Sequence, residues 1–142
     1  MTMKLKVKKI HDHAKLPVYG HKGDAGLDVF ACERVELEPL VPVAVPTGIQ
    51  VAVPENHVGL IWDKSGLSLQ GVHRLAGVVD SGYRGEVKVV LINLSRDIIV
   101  IEEGMKIAQM LIQPVREVTV EEAGSLDKTV RGKNGFGSTG RY

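Results

Sequence analysis

The chain has 142 residues, a formal net charge of +1 and mixed signs along its length, so it lacks the basic block that a nucleic-acid footprint requires. Hydrophobic residues make up 44% of it, enough for one globular domain with a single core, and no apolar run reaches the ~18 residues of a membrane span. One cysteine, Cys32, excludes an internal disulfide framework, and the N-terminus, MTMKLKVKKI, lacks the apolar core of a signal peptide. The expected setting is the cytoplasm, or the interior of the host cell if the source is viral, with neither nucleic acid nor membrane as partner.

The predicted elements are nearly all strands. Residues 4–10 alternate charge and apolarity, as a half-exposed strand does. A loop with Pro17, Gly20 and Gly23 follows, in which His11 and His13 read as a solvated pair without a third metal ligand. Residues 24–31, DAGLDVFA, turn at Gly26 and enter a strand, where Cys32 reads as a small buried hydrophobe. Pro39, Pro42, Pro46 and Pro54 forbid long helices between 35 and 56, and the β-branched run 48–53 lies among them. Residues 57–62, HVGLIW, are a strand. Residues 63–71, DKSGLSLQG, hold the one short helix, with Asp63 or Ser65 as its N-cap.

Residues 77–93, GVVDSGYRGEVKVVLIN, read as a β-hairpin whose tip carries an acid, Asp80, and an aromatic ring, Tyr83, with Gly82 and Gly85 free to take positive φ. Further strands are expected at 98–101, at 106–112 with a stop at Pro114, and at 115–120. Many short strands with frequent turn signals indicate an all-β sandwich or jelly roll. From Ala123 the composition changes. Residues 131–142, RGKNGFGSTGRY, are Gly-rich and small with one lone aromatic, Phe136, and read as a flexible tail. The expected division is a β domain at 1–122 and a tail at 123–142.

Five segments combine glycine, a small hydroxyl or amide, and a charge: 24–31, 63–71, 77–85, 104–112 and 131–140. Lys64, Ser65 and Gly66 offer a cation, a hydroxyl and approachable backbone N–H groups, which suits phosphate. Arg131 and the run Gly137, Ser138, Thr139, Gly140 repeat that chemistry in the tail. Asp28 and Asp80 are carboxylates suited to Mg²⁺ and a water near phosphates.

Taken together and in this order, these segments resemble the five motifs of the trimeric dUTP diphosphatases, from about residue 4 to the C-terminus. The motifs are DAGLDVFA, DKSGLSLQG, AGVVDSGYRGEV, GMKIAQMLI and RGKNGFGSTG. The resemblance implies an all-β, distorted jelly-roll (β-clip) subunit with one short helix, assembled as a homotrimer with shared sites and a flexible C-terminal tail. It implies Mg²⁺-dependent hydrolysis of dUTP to dUMP and pyrophosphate, which clears the nucleotide pool of dUTP and supplies dUMP for dTMP synthesis. By the same resemblance Asp80 activates the attacking water, Tyr83 lies under the deoxyribose, and the hairpin backbone around Tyr83 reads the uracil edge, with Gly77 among the substrate-binding residues. Asp28 supports the metal through water. Lys64, Ser65, Gly66 and Gln109 lie at the phosphates, Arg131, Ser138 and Thr139 close on the terminal phosphate with Gly137 among the substrate-binding residues, and Phe136 covers the base.

Some positions depart from the family pattern. Asp63 and Lys64 stand where Pro and Arg are common, which keeps a cation but loses the bidentate fork. Arg74 occupies a position where some bacterial members carry a base-contacting Asn, Gly82 replaces a common Asp, and Asn134 replaces a Gly. Two rival readings share the fold. A dCTP deaminase would need a glutamate ten residues after Asp80, where this chain has Val90. A non-catalytic trimeric module would have no use for Asp80, Tyr83 and a complete tail.

Overall fold

A computed structural model describes residues 2–142. These described residues form eleven strands and one helix, in the order β1 (Lys6–Lys9), β2 (Val18–Tyr19), β3 (Leu27–Phe30), β4 (Val35–Leu37), β5 (Val43–Ala52), β6 (His57–Trp62), α1 (Ser65–Leu69), β7 (Val72–Leu75), β8 (Val78–Val79), β9 (Glu86–Asn93), β10 (Ile99–Ile101) and β11 (Lys106–Pro114). They build a four-stranded sheet, β1-β5-β9-β7, a five-stranded sheet, β2-β3-β11-β6-β8, and a two-stranded ribbon, β10-β4. All strand pairings are antiparallel, and the architecture is a distorted jelly roll. Among the described residues no helix is long and apolar enough to cross a membrane.

The core lies between the two larger sheets. Val87, Val89 and Leu91 on β9 face inward with Val45, Ile49 and Val51 on β5, and Ile107 and Met110 on β11 close the other side. Each buries an apolar side chain, contributing about 1.5–3 kcal/mol. β5 is bulged where Thr47, Gly48 and Ile49 oppose Val87 alone, and the Thr47 hydroxyl donates to the Val87 carbonyl. The bulge lets Pro46 sit within a long strand without breaking the sheet. Cys32 is buried and free, and burial, reinforced by Glu86 and Glu33, pushes its thiol up, away from the reactive thiolate.

Four expectations change. Residues 77–93 are not a hairpin. β8 pairs with β6 and β9 pairs with β5 and β7, so the turn between them carries the chain from one sheet to the other. Neither Gly82 nor Gly85 has positive φ; that conformation falls instead on Ala76 (φ 64) and Gly77 (φ 154) just before β8. Residues 115–120 form no strand, because no edge within this chain pairs with them. The helix is capped at Lys64 and uses no side-chain cap, since the Asp63 carboxylate is engaged elsewhere. On β9, Val90 and Ile92 are only half-buried within the chain, so the outward face of that strand stays open.

Candidate active site

The first cluster forms at the centre of the five-stranded sheet. In register, Gln109 on β11 lies between Asp28 on β3 and Trp62 on β6. Asp28 is buried, and its two carboxylate oxygens meet two lysines: Oδ1 accepts from Lys64 Nζ at 2.7 Å, and Oδ2 pairs with Lys106 Nζ at 3.1 Å. Burial alone would push this carboxyl up. The Lys64 and Lys106 ammonium groups outweigh burial and hold Asp28 below the usual carboxylate range. Both lysines reach solvent, so their charge is available to an anion arriving from outside.

Ser65 and Gln109 line one cleft of about 560 Å³ together with Asp63, Ser68 and Leu69. Gly66 is exposed, with open space where a side chain would be. Lys106 was not among the residues expected here. Strand alternation puts residues 106 and 109 on opposite faces, but a bulge between Lys106 and Ala108 shifts the parity and brings both toward Asp28. The motif GMKIAQ contains that lysine, yet the bulge is invisible in the residue pattern.

The second cluster lies where β8 ends. Asp80 and Tyr83 line a cleft of about 550 Å³ with Gly77, Val78, Glu86 and Lys88. The Asp80 carbonyl accepts from the Tyr83 amide at 3.1 Å, closing the turn. The Tyr83 hydroxyl donates to the Glu86 carbonyl at 2.8 Å, which holds the ring at the cleft wall. Gly85 is required by that ring, because a Cβ there would sit 2.6 Å from Tyr83 Cζ. Gly77 hugs β6: its carbonyl accepts from the Ile61 amide at 2.9 Å, and a Cβ would stand 2.6 Å from Ile61 Cβ. The backbone at 77 is thereby fixed at the cleft wall, with an exposed carboxylate, Asp80, at the other side. Glu86, also unanticipated, turns Oε2 into this region without a hydrogen-bond partner among the described residues.

The two clusters do not meet within one chain. Extending the β6–β8 register by one residue puts Asp80 level with Val58, whereas Gln109 and Asp28 stand level with Trp62. Four residues of strand separate them, about 13 Å at ~3.3 Å per residue.

The tail joins neither cluster. The last strand ends at Pro114, and the Val115 amide still donates to Asn56. Beyond that, residues 115–142 form no helix or strand. Arg131 Nε donates locally to the Asn134 carbonyl at 3.0 Å, Phe136 is fully exposed at φ 48, and Gly137 has φ 94. Ser138 and Thr139 are exposed and lie in local turns.

A sequence profile described as dUTPase matches residues 12–140. The chain belongs to the dUTPase family. A deoxyuridine 5′-triphosphate nucleotidohydrolase of Clostridium kluyveri is 47% identical over 141 residues, covering 97% of this chain and 99% of its own. The enzyme of that name from Gloeothece citriformis is 48% identical over 141 residues, at 97% of each chain. Among solved structures, a variant of the Staphylococcus bacteriophage 80alpha dUTPase with dUpNHpp superposes with a TM-score of 0.90 at 29% identity, covering 99% of this chain and 100% of that one. A variant dUTPase from phage phi11 of S. aureus, described with a structural Mg(II) ion, superposes with a TM-score of 0.80 at 27% identity, over 87% of this chain and 98% of that one.

Proposed function

We propose that this dUTPase-family protein hydrolyses dUTP to dUMP and pyrophosphate, in sites that each draw on more than one chain of a homotrimer. The observation that carries the reading is the cleft in which an exposed carboxylate, Asp80, shares one cavity with the Tyr83 ring and the fixed backbone at Gly77. A planar base fits against such a backbone wall, the ring underlies a deoxyribose, and the carboxylate is left beside the phosphate chain.

In the reaction Asp80 accepts a proton from a water as that water's oxygen bonds to the α-phosphorus. The bond between the α-phosphorus and the bridging oxygen breaks, and pyrophosphate leaves. Phosphoryl transfer of this kind rests on positioning and charge neutralisation, which Lys64, Ser65, Gly66 and Gln109 would supply. Within one chain these residues stand at the far end of β6 from Asp80, which supports their delivery by a neighbouring subunit. The half-open face of β9 at Val90 and Ile92 offers a neighbour apolar surface to cover.

Among the described residues no three His, Cys, Asp or Glu side chains converge on one point. Mg²⁺ would therefore take most of its oxygens from the triphosphate and from water, with Asp28 reaching it through water, a donor set that suits this ion. When bound it supplies charge neutralisation at the phosphates. Arg131, Gly137, Ser138 and Thr139 would fold onto the terminal phosphate, and Phe136 onto the base, making residues 123–142 a lid over the β domain at 1–122. The exposure of Phe136 and the purely local bond of Arg131 support that reading. Val90, held on β9 opposite Ala44 and Leu75, provides no proton shuttle for a deaminase.

The test is pyrophosphate release from dUTP with Mg²⁺, alongside dCTP, dTTP and UTP. Release from dUTP alone, abolished by EDTA, is expected. A folded trimer that releases none would overturn the reading.

A further inference from the structure

Where β6 ends and α1 begins, the Asp63 side chain and carbonyl bond to both β7 and β11, beyond the β6–β11 and β7–β9 ladders. Oδ1 accepts from the Arg74 amide on β7 at 2.7 Å, and Oδ2 accepts from His73 Nδ1 at 2.6 Å. Its backbone carbonyl accepts from Gln109 Nε2 on β11 at 2.9 Å. The next residue, Lys64, reaches Asp28. Helix α1 then begins with no side-chain cap and buries only Leu67. A helix of five residues is far below the length that is stable by itself. The orientation of Lys64, Ser65 and Gly66 is therefore set by what grips the chain just before them, and that grip is Asp63. Arg74 is fixed in turn, with its guanidinium over the Trp62 ring at 4.7 Å and Nη1 donating to the Ala76 carbonyl.

We propose that Asp63 is a positioning residue for the triphosphate half of the site, one that holds Lys64, Ser65 and Gln109 in a single arrangement by clamping the exit of β6 to β7 and β11. The proposal rests on the reading of those three residues as phosphate contacts. It acts mainly on that half: Arg74, which Asp63 bonds, reaches the other cleft only through the Ala76 carbonyl. Asp63 lines the cleft shared by Ser65 and Gln109, whereas the cleft of Asp80 and Tyr83 contains neither Asp63 nor any residue it bonds.

The specificity provides the test. Binding of dUpNHpp with Mg²⁺ and of deoxyuridine, which has no phosphate, is measured on the assembled wild-type protein and on Asp63→Ala and Asp63→Asn. Asp63→Ala is expected to weaken dUpNHpp about tenfold, the effect of contacts misplaced and not removed, and to leave deoxyuridine within about twofold. Asp63→Asn keeps an acceptor for the Arg74 amide and is expected to recover part of the loss. Equal weakening of both ligands would mean a general structural role and overturn the proposal, as would no weakening of either. If Asp63→Ala does not fold, His73→Ala removes one contact from an exposed position and should show the same selective loss at smaller size; no selective loss overturns the proposal. Wild-type protein that fails to bind dUpNHpp would overturn the dUTP reading together with this one. Tight wild-type binding left unchanged by Asp63→Ala overturns this one alone.

Discussion

Asp28 accepts from Lys64 at 2.7 Å across thirty-six residues of chain, and Lys106 engages its other oxygen. The carboxylate is thus buried but doubly compensated. Its folded-state pKa is depressed, so the stability it contributes is fully present above the ordinary carboxylate value of ~3.9 and is lost as pH falls through the lower folded value. Asp28→Asn should cost about 1–3 kcal/mol at neutral pH, less than for a fully buried pair because both ammonium groups reach water. The gap between wild type and variant should narrow on acidification below pH ~4. Thermal unfolding across that range checks both; a gap that widens would contradict the depressed pKa.

Asp80 stands exposed at the cleft of Tyr83 and Gly77, and the proposed reaction gives it the proton of the attacking water. Asp80→Asn should lower kcat by about 10²–10⁴-fold, the contribution of a general base, while dUpNHpp affinity changes only a few-fold. A kcat within a few-fold of wild type would remove the assigned role.

The ring of Tyr83 is held by its bond to the Glu86 carbonyl and by the empty space at Gly85. Gly85→Ala must displace the ring. If the ring is what rejects a 2′-hydroxyl, the ratio of kcat/KM for dUTP over UTP should narrow by about tenfold or more. Unchanged discrimination with intact folding would assign selectivity to another group.

Removal of residues 131–142 takes away no strand of the sheets, which end at Pro114. Turnover should fall about 10–100-fold for want of the lid while thermal stability and trimer assembly persist. Dissociation to monomers on that deletion would make the tail a clamp between subunits.

The parts of the fold legible in the sequence are those fixed by local pattern. β6 ends where the apolar run HVGLIW ends, and β11 stops at Pro114, which cannot donate to a ladder. Asp80 and Tyr83 were legible because they are neighbours in one short turn. Partner choice was not. Two apolar runs flanking a turn suit a hairpin or a crossing between sheets equally well, and only the surrounding core decides that Val79 pairs with Gly59 while Val89 pairs with Val45. Lys106 was hidden by a bulge. Asp63 read as a helix cap because the alternating chemistry of β7, which claims its carboxylate, lies ten residues further on. Residues 115–120 are rich in β-branched Val and Thr as a strand is, but composition supplies no edge to pair with.

If neighbouring chains share the site as proposed, the separation of about 13 Å between Asp80 and the Gln109 level along β6 has a consequence for mixed assemblies. A chain silenced at Asp80 retains its lysine and serine, and a chain silenced at Lys64 retains its carboxylate. If the two inactive chains are unfolded together and reassembled, roughly a quarter of randomly formed interfaces would join the sound half of each. Activity should reappear in the mixture although neither parent has any, a complementation that a site built from one polypeptide could not display.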